Sequence, residues 1–385
     1  MSAPPLMEMI AGLVGAPSVS SVNPALDMGN RVVIDRLAGW AESLGFKVEV
    51  MALPHHPAKA NLIATLGQGP GGLVLSGHTD TVPWDEGLWR SDPFKLQERD
   101  GRLYGLGTAD MKSFLALALQ AASRFDPAAI ARPLILLATA DEESTMSGAR
   151  ALAAAGRPRA RCAIIGEPTG LRPIRMHKGV MMEAIRLTGR SGHSSDPALG
   201  NSALEGMHAV LGALLAWRKN LQQAWRHDDF RVPHPTINPG VIQGGDAPNR
   251  ICGFCELQID MRPLPGMALG PLRADLEAHL RAAARDRGLG FELTSLVEPI
   301  PPFETPRTSV LVAAAEAMTG HSAGAVAFGT EAPFLSQLGM DTIVLGPGDI
   351  AQAHQPDEFL ALDQIDPALN LLERLIQRFC VDPQE

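Results

Sequence analysis

Apolar residues along this chain fall into two rhythms. Short apolar runs bounded by glycine, proline or polar residues predict strands at "FKVEVMAL" (46–53), "NLIATLG" (61–67), "GLVLSGHTD" (72–80), "PLILLATADEE" (133–143) and "RCAIIGEP" (161–168). Between them, "NRVVIDRLAGWAESLG" (30–45), "MKSFLALALQAASRF" (111–125) and "SGARALAAAG" (147–156) read as helices. The second of these is largely apolar and so expected to be buried. The third starts at Ser147 and stops at Gly156. Strands alternating with helices imply a mixed, largely parallel α/β sheet with helices on both faces.

The texture changes near residue 180. The strand "GVMMEAIRLTG" (179–189) leads into a long helical pattern over 201–225. Strands at 236–245 and 251–263, a helix at 270–286 and a strand at 291–297 follow. Strand, helix, two strands, helix, strand is the order of a small ferredoxin-like α+β sandwich. The proline-rich "EPIPPFETP" (298–306) reads as a return linker. A helix at 309–320, a strand at 341–348 and a helix at 366–380 complete the first domain. Residues 1–179 and 298–385 are therefore expected to form a catalytic domain, with 180–297 inserted into it.

Bulk composition fits this picture. At 385 residues, with 45% hydrophobic and 19% charged, the chain is long enough for two globular domains. A net charge of −9 and the lack of a long basic run argue against a nucleic-acid or anionic-membrane surface. With neither a signal-peptide pattern nor an apolar run of membrane-spanning length, a cytoplasmic protein is expected. Of the four cysteines, Cys252 and Cys255 form a CxxC. They lie in an expected strand, where residues three apart face opposite sides, and no second CxxC completes a four-cysteine zinc site. "GQGPGG" (67–72) lacks the Gly-Lys-Ser/Thr ending of a phosphate-binding loop.

Chemistry-bearing residues recur where predicted strands end: "SGHTDTVP" (76–83), "GLGTADMK" (105–112), "ADEES" (140–144), "GEPT" (166–169) and "AHQPDE" (353–358). Ligands of an open α/β sheet sit outside the carboxyl ends of its strands. His78, Asp80, Asp110, Glu142, Glu143, Glu167 and His354 are thus placed to converge. Each has an ordinary explanation alone: a loop histidine, a helix cap at Asp110, a surface turn at Glu167. Asp357 and Glu358 are expected to be solvated. Together, however, imidazoles and carboxylates suit zinc and neighbouring divalent metals. Two ions need a shared carboxylate and terminal ligands on each side. Two histidines and three carboxylates supply these, leaving one carboxylate as a base and one to orient a histidine. A strand ending in Asp141, Glu142 and Glu143 also calls for a cation nearby.

This ordered set resembles the M20 family of co-catalytic zinc aminoacylases and carboxypeptidases over nearly the whole chain. "HKG" (177–179), "GRSGHSSDPALGNSA" (189–203), "GGDAPNRIC" (244–252), "DMRPLPGM" (260–267), "GTEAPF" (329–334) and "GPGDIAQAHQPDE" (346–358) resemble bacterial deacetylases within it. The resemblance implies two divalent ions, Zn2+ or Co2+, and a small N-acyl amino acid as substrate. In that reading Asp110 bridges the ions, His78 and Glu167 complete one, and Glu143 and His354 the other. Asp80 holds the His78 ring, Glu142 is the general base, and the Asp110–Met111 peptide is cis. The inserted domain forms a homodimer, and His193 reaches the partner's site to stabilise the oxyanion. Arg262, with its bidentate guanidinium, is expected to grip the substrate carboxylate, helped by Asn249, Thr330 and Lys178.

Overall fold

The computed structural model describes residues 3–54 and 56–382. The chain divides into two compact units: residues 1–175, 305–324 and 331–385, and residues 176–304 with 325–330. The insertion is thus wider than the expected 180–297 at both ends, and it takes in a short return at 325–330.

In the larger unit, strands Leu73–His78, Leu134–Thr139, Cys162–Pro168 and Asp341–Gly346 run parallel. The hairpin Lys47–Leu53/His56–Leu66 adds on antiparallel beside Leu134–Thr139. The parallel strands are mostly apolar because both faces are covered. Alternate residues go to opposite faces. Leu73, Leu75, Leu134, Leu136, Ile164, Ile343 and Leu345 share one core with helices Leu6–Val14, Arg31–Ser43, Lys112–Ala122 and Ile365–Ile376. Helix Lys112–Ala122 buries ten of its eleven residues, in keeping with its largely apolar composition. On the opposite face, helices Ser147–Ala155 and Ala332–Gln337 pack together.

The helix expected to start at Ser147 does so. Met146 takes a left-handed conformation before it, and the Ser147 hydroxyl donates to Asp141 (2.9 Å). Gly156 ends it in the left-handed conformation, as expected. Helix Leu6–Val14 has no counterpart among the sequence expectations.

The smaller unit has four antiparallel strands in the order Thr236–Gly244, Phe254–Arg262, Met181–Thr188, Gly290–Ser295. Helices Ala203–Ala224 and Leu269–Arg285 cover one face around Leu187, Leu214, Leu257, Leu276 and Leu280. This is the expected βαββαβ order. Cys252 lies before the strand rather than in it, and both CxxC thiols are buried in this apolar core.

Candidate metal centre

Six of the expected residues meet in the larger unit. His78 ends strand Leu73–His78, Glu167 lies near the end of Cys162–Pro168, and Glu142 and Glu143 follow Leu134–Thr139. Asp110 sits in the turn before helix Lys112–Ala122, joined to Met111 by a cis peptide. His354 follows Asp341–Gly346 and holds a left-handed backbone (φ 60°), uncommon for a non-glycine residue and typical of functional sites.

Asp110 stands in the middle. Its Oδ1 lies 2.9 Å from His78 Nε2, which is 3.8 Å from Glu167 Oε1. Its Oδ2 lies 3.6 Å from His354 Nε2, which is 3.0 Å from Glu143 Oε2. One carboxylate therefore faces two pairs, each an imidazole with an acid. Donor atoms of His78, Asp110 and Glu143 fall within 4.8 Å of one another, as do those of His78, Glu142 and Glu167.

The electrostatics are those of a crowded, dry acid cluster. Burial, and then the charge of Glu167, push the Glu142 carboxyl well above its usual range. Burial and the charge of Asp110 do the same to Glu167, and to Glu143 more mildly. Burial opposes the His78 imidazolium, but its hydrogen bond to Asp110 and the surrounding acids win and raise its pKa well above normal. The hydrogen bond that the His354 ring donates to the Glu143 carboxylate raises the pKa of His354. Acids pushed toward their neutral form beside imidazoles pushed toward their cationic form are a donor set that would exchange protons for a metal cation. The residues present thus fit divalent ions.

Asp80 departs from expectation. His78 Nδ1 donates to the Asp80 backbone carbonyl (3.0 Å), and the Asp80 carboxylate stays 3.9 Å away. That carboxylate instead accepts from the Glu143 backbone N–H (3.0 Å), and its Oδ1 is buried without a hydrogen-bond partner among the described residues. The reason is reach: with the carbonyl already seated against the ring, the side chain turns to the incoming loop.

Four residues outside the expected site complete the surroundings. Lys59 is the cation beside the acidic run: its Nζ donates to Asp141 (2.6 Å) and Asp27 (2.7 Å). Asp141 also accepts from Ser20 (2.9 Å) and Ser147 (2.9 Å), so it anchors the loop rather than joining the cluster. Glu331 accepts from Ser76 and from Thr139 (2.7 Å). Glu358, expected to be solvated, is 1% exposed and accepts backbone N–H groups from the Asp110 turn. The signal for Lys59 was present: a lysine at the mouth of a run that is otherwise apolar.

The remaining expected residues belong to the smaller unit. His193 is exposed, and its Nδ1 accepts from the Ser195 backbone N–H (3.2 Å). In the neutral ring the proton then sits on Nε2, which makes that atom a donor. Asn249 is beside it, its carbonyl accepting from Ser194 (3.1 Å). Arg262 Nε is shared between both Asp260 oxygens (3.1 and 3.0 Å). Lys178 is buried and donates to the His234 carbonyl (2.7 Å), and the Thr330 N–H donates to His177 (3.3 Å).

Residues 74–378 match the model of peptidase family M20/M25/M40. The chain belongs to this family. It is 50% identical over 377 residues to acetylornithine deacetylase of Pasteurella multocida, covering 98% of each chain. It is equally similar, at 50% over 377 residues and 98% of each chain, to that of Edwardsiella ictaluri. Its fold matches the crystal structure of an M20 family metallo-carboxypeptidase from Sulfolobus solfataricus with a TM-score of 0.76 at 18% identity, covering 97% of this chain and 99% of the other. No helix among the described residues is long and apolar enough to cross a membrane.

Proposed function

We propose that the chain hydrolyses N2-acetyl-L-ornithine to L-ornithine and acetate, as a cytoplasmic enzyme of arginine biosynthesis. The observation that carries this reading is the 50% identity to acetylornithine deacetylases over 98% of both chains. The acid–imidazole cluster around Asp110 supports the metal dependence of the reaction.

In this reading His78 and Glu167 would hold one divalent ion, Glu143 and His354 a second, and Asp110 would serve as a ligand to both. Zn2+ suits these ligands and Co2+ is an alternative. Such ions supply Lewis-acid polarisation of the acyl carbonyl and acidification of a water. Glu142 does the proton work. It takes a proton from the attacking water as the water oxygen bonds to the acetyl carbon. The C–N bond then breaks, and Glu142 gives the proton to the departing α-nitrogen. Its raised pKa favours that return step. His193, donating through Nε2, stabilises the oxyanion in the site of a partner copy, with the smaller unit as the dimer interface. Arg262 and Asn249 hold the substrate carboxylate, with Thr330 and Lys178 in lesser roles. For Arg262 this requires sharing its guanidinium with Asp260.

The test is amine release from N2-acetyl-L-ornithine and from N-succinyl-L,L-diaminopimelate by metal-loaded protein, with a chelated control and Glu142→Gln. Metal-dependent turnover of the first substrate is expected. Glu142→Gln should retain metal and lose about 10²–10⁴-fold in rate, the usual worth of a general base. Preference for the second substrate would keep the chemistry and overturn the specificity. Near-normal turnover by Glu142→Gln would remove it as the base. Ligand binding without turnover of any acyl amino acid by fully metallated protein would make the chain a binding protein instead.

A further inference from the structure

Two loops of the larger unit bear on Asp110, and one buried carboxylate joins them. The turn Gly105–Asp110 delivers the central carboxylate, and the segment 353–358 delivers His354. Glu358 Oε1 accepts from the N–H groups of Ala109 (2.7 Å) and Asp110 (3.0 Å), and Oε2 from that of Gly107 (3.1 Å). The exchange runs both ways, since the Gly105 N–H donates to the Glu358 carbonyl (3.1 Å). Pairing of Phe359 with Tyr104 continues the junction as a ladder. Three N–H groups of one turn converging on an acid form an anion-holding concavity, and only a group with two acceptor oxygens satisfies all of them.

We infer that Glu358 is the positioning residue of the metal pair: its side chain holds the Gly107–Asp110 backbone so that the two oxygens of Asp110 face the two imidazoles. It touches neither substrate nor ion. The Asp110 side chain hangs from a backbone whose N–H is held by Glu358, so the direction of its carboxylate follows from that turn. The inference rests on the metal-dependent reading above. Groups that orient a metal ligand typically change metal affinity or activity about 10–100-fold when altered.

Glu358→Gln tests it. The amide keeps the shape but turns an NH2 toward at least one N–H donor, and the turn must shift. The measurement is titration of metal-free protein with Co2+, followed by the visible absorption of the bound ion and by competition with a chelator. Leu360→Val, in the strand that follows Glu358 and in the apolar core, is the control for general loosening. Glu358→Gln is expected to weaken Co2+ binding by about 10–100-fold and alter its absorption, with Leu360→Val within about threefold of wild type. Co2+ affinity of Glu358→Gln within about threefold of wild type would overturn the inference. So would an equal loss in Leu360→Val. If Glu358→Gln does not fold, Glu358→Asp, which keeps the charge but falls one methylene short, carries the same comparison. Wild-type protein that binds no Co2+ would instead overturn the metal reading itself, so the two failures are distinct.

Discussion

Replacing Lys59 with methionine should unseat the loop that carries Glu142 and Glu143. The lysine is 5% exposed and its ammonium contacts both Asp27 and Asp141. Methionine keeps much of the volume and removes the charge, leaving Asp141 buried without its cation. Breaking a buried ion pair from one side costs about 3–5 kcal/mol. Here Asp141 keeps hydroxyl donors from Ser20 and Ser147, and Asp27 keeps the Ser21 N–H (3.0 Å). The lower end, about 3 kcal/mol, is therefore expected. The assay is urea unfolding of the chelated protein followed by far-UV circular dichroism, with metal absent so that binding does not add to stability. Two units can unfold separately, so the loss is read from the transition that shifts. Because Asp141 is joined by one peptide to Glu142, the rate at saturating substrate should also fall at least about tenfold, equivalent to about 1.4 kcal/mol of barrier. Asp141→Asn removes the orphaned charge, so the double variant should lose less than the sum of the singles. A loss under about 1 kcal/mol in Lys59→Met, or strict additivity with Asp141→Asn, would refute the argument.

Further outcomes follow from the same structure. A Cβ at Gly166, one residue before Glu167, would lie 2.0 Å from the Phe114 ring; Gly166→Ala should lower thermal stability by about 1–3 kcal/mol, and Phe114→Leu should recover part of it. Burial lowers the His177 pKa to about 4, with Nδ1 donating to the Lys178 carbonyl and Nε2 accepting from Thr330. The unfolded ring titrates near its ordinary value, so this contribution is complete above about pH 6.5 and is lost as pH falls toward about 4, up to about 3 kcal/mol. Urea unfolding across that window should show the slope, and His177→Gln should flatten it. Because the cluster binds protons on His78, His354, Glu142 and Glu167 that a metal ion must displace, Co2+ affinity should rise between about pH 6 and pH 8. Equal affinity at both pH values in a competition titration would contradict it.

The strands and the βαββαβ insertion were legible because each is written in local periodicity. The sequence also marked where chemistry gathers, since strand ends in a parallel sheet share one edge. What it did not mark are the residues whose work is to hold backbone. Glu358 reads as one more acid after Asp357, and only the fold shows that it meets three N–H groups from a turn some 250 positions earlier. Asp80 was assigned the His78 ring from its spacing, but spacing does not decide whether carbonyl or carboxylate arrives first. The boundary of the smaller unit was missed at 325–330 because six residues carry too little composition to announce a crossing.

The three adjacent acids 141–143 show how one short segment avoids its own repulsion. Asp141, left-handed at φ 59°, turns back to a lysine and two hydroxyls. Glu143 meets the imidazole of His354, while its own N–H is held by Asp80. Glu142 lies near His78 and Glu167, and burial and the charge of Glu167 push its carboxyl well above the usual range. The backbone thus separates the three by direction, and each ends in a different electrical environment. Asp141 faces a lysine, Glu143 the imidazole of His354, and Glu142 the pair of His78 and Glu167. A carboxyl pushed toward its neutral form readily gives back a proton it has taken, and the return of that proton to the leaving nitrogen is half of a general base's work. Exchanging the environments would be more damaging than exchanging the residues. A lysine brought to Glu142 would favour its charged form and oppose the return of the proton, and a loop without Lys59 would leave Asp141 buried with only hydroxyl donors.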